Sequence, residues 1–150
     1  MNTAWFTPAY REAEIPMEGA PVRNEVLFTY QRERNSYQDL CFLRRRIEEE
    51  AAQRGLRVYE FEVRSPETNT DLSSEVFSYH RDFVGGYGIP RALVMWTNKL
   101  VPYVRHCTTK KYYRVKPYDM VMIDNINFEH RAHHRFKRSD HRWFLRAMLS

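Results

Sequence analysis

Apolar and polar residues alternate along most of this chain, and one stretch breaks into a rhythm of three and four. In residues 37–54, Leu40, Leu43, Ile47 and Ala51 recur at helical spacing, which predicts a helix with one apolar stripe turned toward a sheet. Ser36 with Asp39 resembles a capping box, and Gly55 supplies a stop. The runs Arg44-Arg45-Arg46 and Glu48-Glu49-Glu50 then form a solvated face with i,i+4 pairs.

The alternating segments read as strands. Glu25-Val26-Leu27-Phe28-Thr29-Tyr30 is a short first strand, and residues 56–63 a second. Further β-like runs fall at 76–83, 91–98, 100–115 (a hairpin turning near Cys107 to Lys110), 119–124 and 141–149, with turns at 85–90 and 116–119. Residues 65–75 are polar and read as a loop. Residues 1–24, with Pro8, Pro16, Pro21 and Gly19, lack either period and read as an irregular arm. One helix followed by many short strands predicts a single, mainly β (α+β) domain: a jelly roll, or double-stranded β-helix, with one packed N-terminal helix. Its parts would be the arm, a helix-containing support region at 25–75 and a β core at 76–149.

Composition changes this picture little. A hydrophobic fraction of 43% with 15% aromatics excludes a disordered chain. The net charge of +5 permits a nucleic acid or an anionic metabolite as partner, but 19 acidic residues make the surface mixed. Cys41 and Cys107 have no CxxC spacing, so reduced thiols are expected rather than a disulfide or zinc framework. There is no signal-peptide pattern, and no apolar run approaches the roughly 18 residues of a membrane span. These features predict a soluble, cytoplasmic protein.

The candidate chemistry lies in the second half. His80 and Asp82 are two residues apart, so both would point to one face of a strand. Two histidines and one carboxylate form the facial triad that holds non-haem Fe(II) with other positions open. His130, which a loop delivers after an apolar strand, is the candidate second histidine, in competition with His106, His133, His134 and His141. Arg142 and Arg146, four residues apart on the last predicted strand, would share a face and supply planar, always-charged donors for a carboxylate.

Taken in order, these motifs resemble the Fe(II)/2-oxoglutarate-dependent oxygenases, in the taurine dioxygenase and clavaminate synthase-like branch. The matching residues are His80-x-Asp82, then Gly88-x-Pro90-Arg91-Ala92-Leu93-Val94, then Pro117-Tyr118-Asp119 through Asp124-Asn125, then His130-Arg131, then Arg142-Trp143-Phe144-Leu145-Arg146. The resemblance spans residues 76–149. It implies that His80, Asp82 and His130 ligate Fe(II), that Arg146 pairs with the distal carboxylate of 2-oxoglutarate, and that Arg142 lies near its chelating end or a substrate anion. Thr97 and Thr108 are both candidates for the family's additional co-substrate-binding threonine. The implied reaction consumes O2 and 2-oxoglutarate, releases CO2 and succinate, and hydroxylates, desaturates or cyclises a small polar metabolite such as an amino acid derivative. A carboxylate at Asp82 leaves no vacancy for a halide. The chain departs from the pattern at Arg131, where the family has glycine after the histidine, and at Tyr118, where it has glycine in the turn.

Two other readings compete. A small basic nucleic-acid-binding domain would use Arg131, Arg135, Lys137, Arg138 and Arg142 on phosphates and Tyr112, Tyr113, Phe136 and Trp143 on bases. A jelly roll could also bind metal without oxidative chemistry. Met95, Trp96, Met120, Met122, Trp143 and Phe144 read as core residues, with Trp96 and Trp143 as candidates to line a pocket at the barrel mouth.

Overall fold

A computed structural model of the protein describes residues 22–68, 74–82, 89–137 and 140–150. The predicted arm lies outside the described residues up to position 21, as do most of the 85–90 turn and positions 69–73 of the predicted loop.

The architecture is mainly β, with two antiparallel sheets and one bent helix. The helix is α1 (Tyr37–Cys41) continued by α2 (Leu43–Gln53). Its predicted start holds, because the Asp39 N–H donates to Ser36 Oγ at 3.1 Å. Its predicted continuity is interrupted at Phe42, which is 78% exposed and keeps helical dihedrals of −65° and −20°. Gly55 ends the helix at φ +70°, a conformation that only glycine adopts without strain. The charged runs pair as expected, Arg44 with Glu48 at 3.5 Å and Arg45 with Glu49 at 3.4 Å, in solvent.

Five strands form the large sheet in the order β1 (Glu25–Thr29), β6 (Asp119–Asp124), β3 (Ala92–Thr97), β8 (Phe144–Leu149), β2 (Val58–Arg64). The small sheet has the order β5 (Tyr112–Tyr113), β4 (Tyr103–His106), β7 (Phe128–Arg131). β4 and β5 are the predicted hairpin. Leu40, Leu43, Ile47 and Ala51 pack on one face of the large sheet, against Val94, Trp96, Met120, Met122, Leu145 and Ala147. The alternate residues Leu93, Met95, Val121, Ile123 and Met148 face the small sheet across a second core. Because β3 is covered on both faces, all six of its residues are buried.

Three expectations change. The described part of the predicted 76–83 strand, residues 76–82, does not form one: Ser74–Phe77 is one short helical turn, α3, closed by Ser78 Oγ donating to the Ser74 carbonyl. Only His80 then joins the small sheet, by a single antiparallel bridge to His130. His130 itself is not delivered by a loop; it sits in β7, paired opposite Val104. Finally, Trp96 faces the helix rather than a pocket, with its Nε1 donating to the Tyr30 and Tyr118 carbonyls, and Trp143 packs on that same side.

Tyr118 occupies the turn before β6 at φ +69°. This is the position where the resembled pattern carries glycine, and left-handed backbone at a non-glycine residue costs about 1–3 kcal/mol. Its N–H donates to the Thr97 carbonyl at 2.8 Å, and its ring lies 6.3 Å from that of Trp96, contacts that hold the strained residue in place.

Candidate metal centre

The bridge between His80 and His130 turns a sequence separation into adjacency. Each N–H donates to the other's carbonyl, at 2.9 and 2.8 Å, so the two residues face each other across antiparallel backbone with side chains on one face. Their ring centroids are 4.5 Å apart. Asp82 follows on the same side. Its Oδ1 is 3.5 Å from His80 Nε2 and 3.3 Å from His130 Nε2. Among the described residues, these three form the one histidine, cysteine and carboxylate cluster suited to a metal, with all donor atoms within 4.8 Å of one another.

Neighbours fix this geometry. His80 Nδ1 lies 2.7 Å from the Ser78 carbonyl, which assigns the proton to Nδ1 and leaves Nε2 as the lone-pair donor. Asn125, fully buried, donates from Nδ2 to the carbonyls of Asp82 and Pro90, both at 3.0 Å. Arg81, also buried, donates to the Ile126 carbonyl at 2.5 Å. The segment carrying the first two ligands is thereby strapped to the turn after β6.

Arg146 completes the cluster. Its Nη1 donates to Asp82 Oδ2 at 2.7 Å, and its Nη2 lies 2.6 Å from Glu62 Oε1. Burial opposes ionisation of Asp82, but the charge of Arg146 and the ring of His130 outweigh it and hold the carboxyl well below its ordinary range. Burial pushes the His130 ring below its ordinary value, with Asp82 opposing and His80 adding to the shift. At neutral pH the site therefore presents an ionised carboxylate and a neutral imidazole, the forms that bind a cation.

A cavity of about 80 Å³ opens on this group, lined also by Arg64, Met95, Phe136, Arg142 and Phe144. A water molecule needs about 10–15 Å³ of such space, so there is room for a small ligand. Arg142 precedes β8 rather than lying on it, and is 4% exposed. Its Nε donates to the carbonyls of Lys99 and Leu100, and its guanidinium lies 4.8 and 5.2 Å from the rings of Phe136 and Phe144. Burial, reinforced by the charge of Arg64, lowers its pKa to about 10, still fully protonated at neutral pH.

His80, Asp82, His130, Arg142 and Arg146 thus meet at one cavity. Thr97 is buried on the inter-sheet face and Thr108 is exposed in the β4–β5 turn, its N–H donating to His106 Nδ1; neither lines the cavity. The competing histidines lie elsewhere: His133 and His134 stack on Tyr103, and His106 caps its own turn. The sequence reading missed Glu62, Arg64, Arg81 and Asn125. The visible signal for the first two was a pair of charged residues alternating with Phe61 and Val63 on a predicted strand.

No protein-family model, curated protein or solved structure matches this chain. Among the described residues, no helix is long and apolar enough to cross a membrane.

Proposed function

We propose that this chain is an Fe(II)- and 2-oxoglutarate-dependent oxygenase with His80, Asp82 and His130 as its metal ligands. The observation that carries the reading is the convergence of two imidazole Nε2 atoms on one oxygen of Asp82, at 3.5 and 3.3 Å. Bonds of about 2.1 Å at right angles separate neighbouring donors by about 3 Å, so small side-chain adjustments complete the set. Two neutral imidazoles and a carboxylate on one side of the ion are the non-haem iron triad.

The strand order supports the jelly roll that this chemistry uses. From β2 onward the chain visits the large sheet, the small sheet at His80, the large at β3, the small at β4 and β5, the large at β6, the small at β7 and the large at β8. This alternation between two antiparallel sheets supports a double-stranded β-helix.

Bound iron would supply activation of O2, with the keto acid giving up CO2 and becoming succinate as one oxygen atom enters it. The protein's part is positional. Arg146 grips Asp82 Oδ2, leaving Oδ1 toward the two imidazoles. Both terminal nitrogens of Arg146 are already engaged by Asp82 and Glu62, so the distal carboxylate of the keto acid falls to Arg142, whose guanidinium is held rigid at the cavity wall. This exchanges the two roles that the family resemblance implies. The small cavity suits a small polar substrate, which is hydroxylated or, with the same triad, desaturated or cyclised.

The nucleic-acid reading draws less support, because two of the residues it needs, Phe136 and Arg142, are 6% and 4% exposed and turn inward. Conversion of 2-oxoglutarate to succinate in the presence of Fe(II) and O2 tests the proposal. Turnover is expected in the native protein and absent in Asp82→Ala; full turnover in Asp82→Ala would contradict the assignment. Metal uptake without turnover would favour a metal-binding jelly roll.

A further inference from the structure

We propose that Glu62 keeps the metal-facing oxygen of Asp82 available by dividing the grip of Arg146, an inference that rests on the metal-site reading above. Glu62 and Arg146 are register partners on β2 and β8, and partners in an antiparallel pair share a face. Glu62 Oε1 lies 2.6 Å from Nη2 of Arg146, while Nη1 donates to Asp82 Oδ2 at 2.7 Å. Each terminal nitrogen serves a different carboxylate.

The alternative arrangement shows why this matters. A guanidinium meeting a single carboxylate favours a bidentate fork, with two parallel N–H···O bonds. In that fork Asp82 would give both oxygens to Arg146. Oδ1 is the atom that the His80 and His130 nitrogens flank at 3.5 and 3.3 Å, so the fork would take the donor the metal needs. Glu62 draws Nη2 the other way. Its contact is a close ion pair whose angle falls short of an aligned hydrogen bond, so it acts through charge and position. Arg64 approaches the same Glu62 oxygen at 3.2 Å and holds that carboxylate in turn. Glu62 reaches the metal site through Arg146 and is a positioning residue.

The test is Mn(II) titration, followed by electron paramagnetic resonance, of the native protein, Glu62→Met, Arg146→Met and the double variant. Loss of a group that orients a metal ligand typically costs 10- to 100-fold in affinity, and Glu62→Met is expected to lose about that much. The double variant should bind Mn(II) more tightly than Glu62→Met alone, because the competing guanidinium is gone. If Glu62 acted only through its charge on the cation, its loss would cost the same with or without Arg146, and that additivity would overturn the proposal. Native-like binding by Glu62→Met would overturn it too. No Mn(II) uptake by the native protein would instead sink the metal-site reading, and this inference with it. Should Glu62→Met not unfold cooperatively, Glu62→Gln carries the same comparison.

Discussion

On its helix-covered side, the large sheet buries Ala92, Val94, Trp96, Met120, Met122, Leu145 and Ala147, all uncharged and all in one core with the buried residues of α1 and α2. On the side facing the small sheet, the same strands pass from Leu93, Val121 and Ile123 to Arg146, which meets Asp82 and Glu62. Polar atoms without a partner among the described residues also gather on this side, at His130 Nδ1, Arg146 Nε and Thr97 Oγ1. Local rules of burial are commonly broken at functional sites and compensated elsewhere. One face supplies the stability that lets the other hold charges in a fixed, partly unsatisfied arrangement.

If the two faces divide the work in this way, substitutions should separate stability from binding. Trp96→Ala, on the closed face, should cost about 3–5 kcal/mol in a urea unfolding curve, while its folded fraction binds Mn(II) like the native protein. His130→Ala should do the reverse. Loss of a direct ligand is expected to weaken Mn(II) binding by more than about 100-fold, exceeding the usual penalty for an indirect one, with the fold retained by circular dichroism. A parallel fall in stability and metal affinity in either variant would break the comparison.

Smaller effects sharpen it. Arg142→Met should weaken 2-oxoglutarate binding to the metal-loaded protein by about 10- to 100-fold, the value of hydrogen bonds to a charged group, and leave pyruvate, which lacks the distal carboxylate, unaffected. Burial holds the His130 ring below its ordinary value of 6.5, so this ligand is neutral and ready for metal at neutral pH. The unfolded chain takes up a proton on this ring at a higher pH than the native one, so metal-free stability should fall as pH drops through 6.5 toward the folded value. Metal-free stability that rises as the pH drops through 6.5 would contradict this. On the outer edge, Arg54 joins Glu25 at 2.6 Å and Glu50 at 2.9 Å with a quarter of its side chain exposed, so Arg54→Met should cost no more than about 1 kcal/mol and leave the site untouched.

Much of this division was legible in the sequence, for identifiable reasons. The stripe Leu40, Leu43, Ile47 and Ala51 has a period only a helix produces, and it is the stripe that is buried. His80 and Asp82 converge as their spacing implies, although the backbone carrying them is a single bridge rather than a strand. The β7 segment is too short, at four residues, to display its alternation, so His130 looked like a loop residue. β3 is buried on both faces, and a continuous apolar run does not say which way Trp96 points. Glu62 and Arg64 belong to a strand read only as support. Their place at the site depends on the register between β2 and β8, which pairs Glu62 with Arg146 across the chain.

The most direct test of the central claim is anaerobic addition of Fe(II) and 2-oxoglutarate, monitored in the visible range. The native protein should develop a weak charge-transfer band that saturates at one iron per chain, and His80→Ala should not. No band in the native protein, or an undiminished band in His80→Ala, would contradict the assignment of His80, Asp82 and His130 as an iron site that takes up a keto acid.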